Sequence, residues 1–283
     1  MKQVCLGLWV LLALVHGPVS AEAGMTPKRM VLNNGMVLLT SEQRALPMVS
    51  IELLIAAGSR YEPADQAGLA NLTSKLLIYG TKQRTALQIS DTLDFIGASL
   101  EAGCGQDTTS VSMTVLKKDL TTGLELLADV LTQSTFPQAE IDRQKQAIIA
   151  SIRAAEEEPG IVAAKAFAAA LFPGSPYGRP VEGSEASVKA LQQKSLRDFF
   201  ARNYRPNRSI IAVVGDVSEQ EIAKALNGAF RAWAKGEPSG QPLVPAKVGE
   251  SKVLRGRAEQ RGLSDSGFTA SGLGADSGHT SRR

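Results

Sequence analysis

The side chains that most often do chemistry are scarce in this chain, and their placement limits what it can do. Histidine occurs twice, at His16 and His279, near the two ends of 283 residues. The long body between them lacks the usual general base and the usual neutral metal ligand. Ser/His/Asp and Cys/His relays are therefore excluded for that body. Cysteine also occurs twice, at Cys5 and Cys104. Cys104 has two readings: a nucleophile or interchain bridge, and a small buried apolar side chain, of which the second is favoured. Glu156, Glu157 and Glu158 offer carboxylate oxygens of the kind hard cations bind. Consecutive helical residues point in different directions, so these three read as a solvated acidic helix end before Pro159.

The elements that must position such residues are legible from hydrophobic spacing. Met30 and Leu32, then Met36 and Leu38, flank Asn33-Asn34-Gly35, a hairpin turn signal. Residues 49–57 form an apolar run with one charge, Glu52, which predicts a mostly buried central strand. Leu69, Leu72, Leu76 and Leu77 recur at helical steps within 65–77, and Gly80 stands past the end. A second helix is predicted over 85–96, with Leu87, Leu93 and Ile96 on its apolar side and Gly97 closing it. Strand character follows at 100–102 and 109–116, the latter with Val111, Met113 and Val115 on one face. Helices are predicted after Asp119 through Leu131, from Pro137 to Glu157, over 162–171 and over 187–204. A β-branched strand at 209–214 and a helix capped by Ser218, with Glu221 completing a capping box, end the regular pattern. The fold class expected is α+β, an antiparallel-rich mixed sheet packed against helices.

Hydrophobic residues make up 43% of the chain, enough for a substantial core. The formal charge of +3, from 31 basic and 28 acidic residues with no dense basic run, gives no support to a nucleic-acid partner. Lys2, the apolar run 4–15 and Val19-Ser20-Ala21 read as an export signal over 1–21. A periplasmic or secreted protein beginning near Glu22 is expected, and the alternative is a retained N-terminal anchor. No later run is long enough for a membrane span. One domain is expected over 28–236, then a Pro/Gly-rich linker over 237–249. The tail 250–283 is rich in Ser, Gly, Arg and Ala and is expected to hold no regular element. Two readings stay open for it: a disordered tail, or a truncated or frame-altered start of a second domain.

Several segments in consistent order resemble the N-terminal domain of the pitrilysin/insulinase zinc peptidases. They are Leu46-Pro47 with the strand after it, Gly58-Ser59-Arg60-Tyr61-Glu62-Pro63, Gly68-Leu69-Ala70 and Tyr79-Gly80-Thr81. Ser175-Pro176-Tyr177-Gly178-Arg179-Pro180 with Gly183, Asn203-Tyr204, Pro206-Asn207 and Val213-Val214-Gly215-Asp216-Val217 continue the match. The family binds zinc through H-x-x-E-H on a helix, where two His four apart share a face and the Glu polarises the bound water. Aligned on Gly68-Leu69-Ala70, the His, Glu and His positions fall on Asn71, Ser74 and Lys75. The family's third ligand, a Glu on a later helix, falls on Ser151. Asn and Ser are poor zinc ligands and Lys75 brings a cation, so these are vestigial positions and neither a metal nor a catalytic site is predicted. Lys75 has its own pair of readings: a contact for a substrate carboxylate or partner acid, or an ordinary surface lysine.

The resemblance implies a non-catalytic subunit that binds unfolded peptide beside an active zinc peptidase homologue, with zinc expected only in that partner. The alternatives are a stand-alone peptide-binding module, a truncated product without function, and catalysis through unrelated residues such as Cys104 or Ser74. Complete family members usually carry two similar domains in one exported subunit, and this chain has sequence for one.

Overall fold

The computed structural model describes residues 27–237 and two short strands beyond them. The expected export signal with Cys5 and His16, nearly all of the linker, and His279 lie outside the described residues.

The core is a six-stranded mixed sheet. In chain order its strands are β1 (Lys28–Val31), β2 (Val37–Glu42), β3 (Met48–Ile55), β4 (Ser99–Cys104), β5 (Thr109–Leu116) and β6 (Ser209–Gly215). Across the sheet they run β1-β2-β6-β3-β5-β4. Only β2 and β6 pair in parallel, with Val37 opposite Ile210, and every other pair is antiparallel. The predicted hairpin joins β1 to β2. Gly35 takes φ +85°, and the Leu32 amide donates to the Met36 carbonyl at 2.9 Å.

Among the described residues, one face of the sheet is covered by helices and the other is not. On β5, Val111, Met113 and Val115 are no more than 2% exposed, while Ser110, Ser112 and Thr114 between them are half-buried, as period-two alternation requires. The same parity governs β3, which corrects the expectation of a mostly buried strand. Val49, Ile51, Leu53 and Ile55 face the helices, whereas Met48, Ser50 and Leu54 are exposed. The continuous apolar run hid this because its outward positions are themselves partly apolar.

The helices are α1 (Leu69–Leu76), α2 (Ala86–Ile96), α3 (Leu120–Gln133), α4 (Gln138–Glu156), α5 (Pro159–Leu171), α6 (Glu185–Ala190), α7 (Gln193–Asn203) and α8 (Glu219–Ala229). Among these α3 packs on β5, α8 on β2 and α1 on β4, and α4 and α7 cover α1 from the other side. Thr85 and Gln88 form a reciprocal capping box at the start of α2, and Gly97 ends it at φ +61°. Of its expected apolar side, Ile96 is buried and Leu93 packs against the core, while Leu87 is exposed and Ile89 takes the inner position. The single helix expected over 187–204 is two, because Leu191 and Gln192 are extended, which lets Val188, Leu191, Leu196 and Phe199 all reach the core. At α8, the Ser218 hydroxyl accepts from the Glu221 amide at 3.3 Å, so the cap is present without the expected return bond from Glu221.

Beyond the domain, β7 (Val253–Leu254) pairs antiparallel with β8 (Phe268–Thr269), a short ladder where no regular element was expected. Among the described residues no helix is long and apolar enough to cross a membrane.

Two glycines fix how the loop before α6 meets the start of α1. Gly68 has φ +93° and Gly183 φ +79°. A Cβ on Gly183 would stand 2.4 Å from the Ala67 carbonyl oxygen, and one on Gly68 would stand 2.6 Å from that of Glu182. Both the conformation and the space require glycine. Gly183→Ala is expected to lower unfolding free energy by about 2 kcal/mol or more in urea titration, whereas Gly160→Ala, in a helix and meeting nothing within 4 Å, should leave it unchanged or raise it slightly.

Candidate functional site

The positions of interest converge on α1. Its first residue is set by a carboxylate from the preceding loop, not by a side chain at the helix cap. After β3, Gly58 lies so close to the β4–β5 turn that a Cβ would meet the Gln106 carbonyl oxygen at 2.3 Å. The chain then makes a short turn, and the Glu62 carboxylate accepts from the amides of Gly68 (3.2 Å) and Ala70 (3.1 Å). Glu62 thereby satisfies donors that a helix N-terminus leaves open and adds a negative charge where the helix dipole favours one. This is why α1 begins at Leu69 and not at Asp65.

Glu62 is only 5% exposed, and burial pushes its carboxyl up to about 7, against the pull of the Ala70 and Gly68 amides and of Arg179. The loop 175–180 is fastened to the same end of the sheet. The Tyr177 hydroxyl donates to Asp107 at 2.7 Å, Arg60 pairs with Asp107 at 3.0 Å, and the Gln106 amide donates to the Tyr177 carbonyl at 3.3 Å. Those bonds hold Asp107 below the usual carboxylate range, Tyr177 contributing most and Arg60 next.

On α1 itself, Asn71 is 9% exposed and Ser74 is fully buried, while Lys75 is exposed. The Ser74 hydroxyl donates to the Asn71 carbonyl at 2.9 Å, one turn back in its own helix. Ser151 is exposed on α4, the helix that packs against α1. Two of the four positions are thus turned into the packing and two lie at the surface. An amide, two hydroxyls and an ammonium do not make a zinc site, since none supplies the imidazole or carboxylate donors such a site needs. Among the described residues no three His, Cys, Asp or Glu side chains are grouped to hold a metal ion.

Cys104, at the end of β4, is half-buried and its thiol donates to the Gly105 carbonyl at 3.1 Å. Burial first, and the charge of Glu62 second, push that thiol up to about 12, which leaves almost no thiolate at neutral pH and disfavours a nucleophile. Glu156, Glu157 and Glu158 are all exposed, in keeping with a solvated acidic end.

The sequence model of the insulinase family, peptidase family M16, matches residues 37–185. The chain belongs to the insulinase family of peptidases. A second model, the peptidase M16 inactive domain, matches residues 190–264. Strand β6 falls in that second span, yet it pairs with β2 and β3 from the first, so one insulinase-type sheet is built across the boundary.

An uncharacterized zinc protease of Streptomyces coelicolor is 28% identical over 85% of this chain and 53% of its own length. One of Mycobacterium leprae is 31% identical over 71% of this chain and 45% of its own. The chain therefore spans about half the length of the curated relatives it matches. Among solved structures, a peptidase M16 inactive domain from Pseudomonas fluorescens superposes with a TM-score of 0.75 at 26% identity, covering 78% of this chain and 54% of that one. Pitrilysin superposes at 0.71 with 21% identity, over 81% of this chain and 25% of its own, which shows the shared fold.

Sequence reasoning placed Asn71, Ser74, Lys75 and Ser151 but passed over Glu62 as part of a loop. The signal it offered was a carboxylate six residues ahead of a helix that has no capping side chain at residue 68. The raised carboxyl of Glu62 sets a direction for pH. A group more easily protonated in the folded state stabilises fully below its unfolded value and loses that contribution as pH rises through its folded one. Unfolding free energy is expected to fall between about pH 4.5 and about pH 7, by an amount on the order of a few kcal/mol, and to level off above. Chemical denaturation of Glu62→Gln should show that slope removed.

Proposed function

We propose that this insulinase-family chain is a non-catalytic member that binds unfolded peptide and works beside a zinc-bearing homologue. The observation that carries this is the joint replacement at Asn71, Ser74, Lys75 and Ser151, with Ser74 sealed into the helix packing and committed to a backbone carbonyl. A single substitution would leave a weakened metal site, whereas four leave no donor suited to zinc.

Peptide binding is supported by β4. It pairs only with β5 among the described strands, so its outer backbone donors and acceptors form an edge beside α1 that an extended chain can join as a further strand. Such binding needs neither metal nor base. We further propose, from the pattern of residues 1–21, that the protein acts after export to the periplasm or outside the cell.

The test is co-expression with a homologue from the same organism that carries an intact H-x-x-E-H motif, followed by pull-down and a peptide-cleavage assay. The expected result is co-purification, no cleavage by this chain alone, and cleavage by the pair that differs at least about threefold in kcat/KM from the homologue alone. Absence of association together with unchanged cleavage contradicts the subunit reading and leaves a stand-alone peptide binder. Cleavage by this chain alone that survives a chelator and is lost in Cys104→Ala would instead restore catalysis by an unrelated residue.

A further inference from the structure

A pocket of about 350 Å³ opens between α5 and the loop 177–181, at the end of β4 marked by Gln106. Its apolar wall includes Ile161, Ala164 and Ala168 on α5, and the ring of Tyr177 stands across from them. The only charged residues among those lining it are Lys165 and Arg179. The Arg179 Nε is buried with no hydrogen-bond partner, an unmet donor in a structure where buried donors are normally paired. Two acids temper this charge from outside the lining. Glu182 pairs with Lys165 at 3.0 Å, and Glu62 acts on Arg179 electrostatically. Burial pushes the Glu62 carboxyl up to about 7, so near neutral pH it offsets Arg179 only in part and the balance over the pocket is weakly positive.

The pocket also has a fixed relation to the open sheet edge. Gln106 follows two residues after the last residue of β4, and its side chain is tied to the Tyr177 carbonyl. A peptide lying along β4 would run out over this end of the sheet, with alternate side chains presented to it.

We propose that this pocket selects a glutamate side chain of a peptide bound along β4, its methylenes against the alanines of α5 and its carboxylate between Lys165 and Arg179. The proposal rests on the peptide-binding reading above and adds the class of peptide taken. Lys165 is the specificity residue, because it is half-buried at the pocket wall and carries no role in the sheet or core. Arg and Lys at a partly buried wall discriminate by charge more strongly than by size.

The experiment uses the full chain and fluorescein-labelled ten-residue peptides of alternating Thr and Val, carrying Glu, Gln or Lys at every third position, read by fluorescence anisotropy. The Glu peptide is expected to bind about tenfold more tightly than the Lys peptide, with the Gln peptide between them. Lys165→Gln should reduce that ratio to about threefold without changing the Gln peptide, and Glu182→Gln, which frees Lys165, should raise it. Equal binding of all three peptides overturns the pocket assignment and leaves peptide binding intact. Binding of none of them overturns both. An unchanged ratio in both variants also overturns the assignment of Lys165.

Discussion

The Glu62 carboxylate holds together what the rest of the site depends on. Its two oxygens accept from amides at the start of α1, so the loop leaving central strand β3 and the helix lying against β4 are fixed to one another through a single buried group. Everything of functional interest is referred to that junction. Asn71, Ser74 and Lys75 lie along α1 and Ser151 on α4 packed against it, the edge strand β4 runs beside α1, and Arg179 brings the loop next to α5 into the field of the same carboxylate. Burying a carboxylate is costly unless its acceptors are used, and here two backbone donors offset part of the cost. The result is a helix whose start is placed by loop chemistry and not by a side chain at residues 71, 74 or 75.

Under the non-catalytic reading proposed above, that junction lets an insulinase-family scaffold stand without a metal. The core is built by Val49, Ile51, Leu53, Ile55, Val111, Met113 and Val115 against helices whose buried stripes include Leu69, Leu72 and Leu76. None of these is a metal ligand. Asn71, Ser74 and Lys75 share α1 with that stripe, and under the proposed reading the scaffold does not depend on a metal held there. Ser74 is a fully buried hydroxyl bonded one turn back in its own helix, where it behaves as a small helix residue.

Much of this was legible in the sequence, and the exceptions have physical causes. Asn33-Asn34-Gly35 announced its turn because only a few residue types accept φ above zero. The alternation in β5 announced both the strand and its buried face. The outward parity of β3 was hidden because Met48 and Leu54 are apolar yet exposed, and the outward turn of Leu87 on α2 was hidden because it is an exposed hydrophobic on a short helix. Asn71, Ser74 and Lys75 could be named from Gly68-Leu69-Ala70, because a helical motif fixes spacing, and Ser151 from the resemblance on a later helix. Glu62, Lys165 and Arg179 could not, since their meaning comes from contacts between segments far apart in the chain.

The central claim is that this member of the family holds no catalytic zinc. Its most direct test is the zinc content of the purified chain, measured by inductively coupled plasma mass spectrometry after incubation with excess zinc and removal of the unbound ion by gel filtration. The account predicts well under one zinc per chain, at a level no different from a His- and Cys-free control protein. One tightly held zinc per chain, lost on substitution at Asn71 or Ser151, would contradict it.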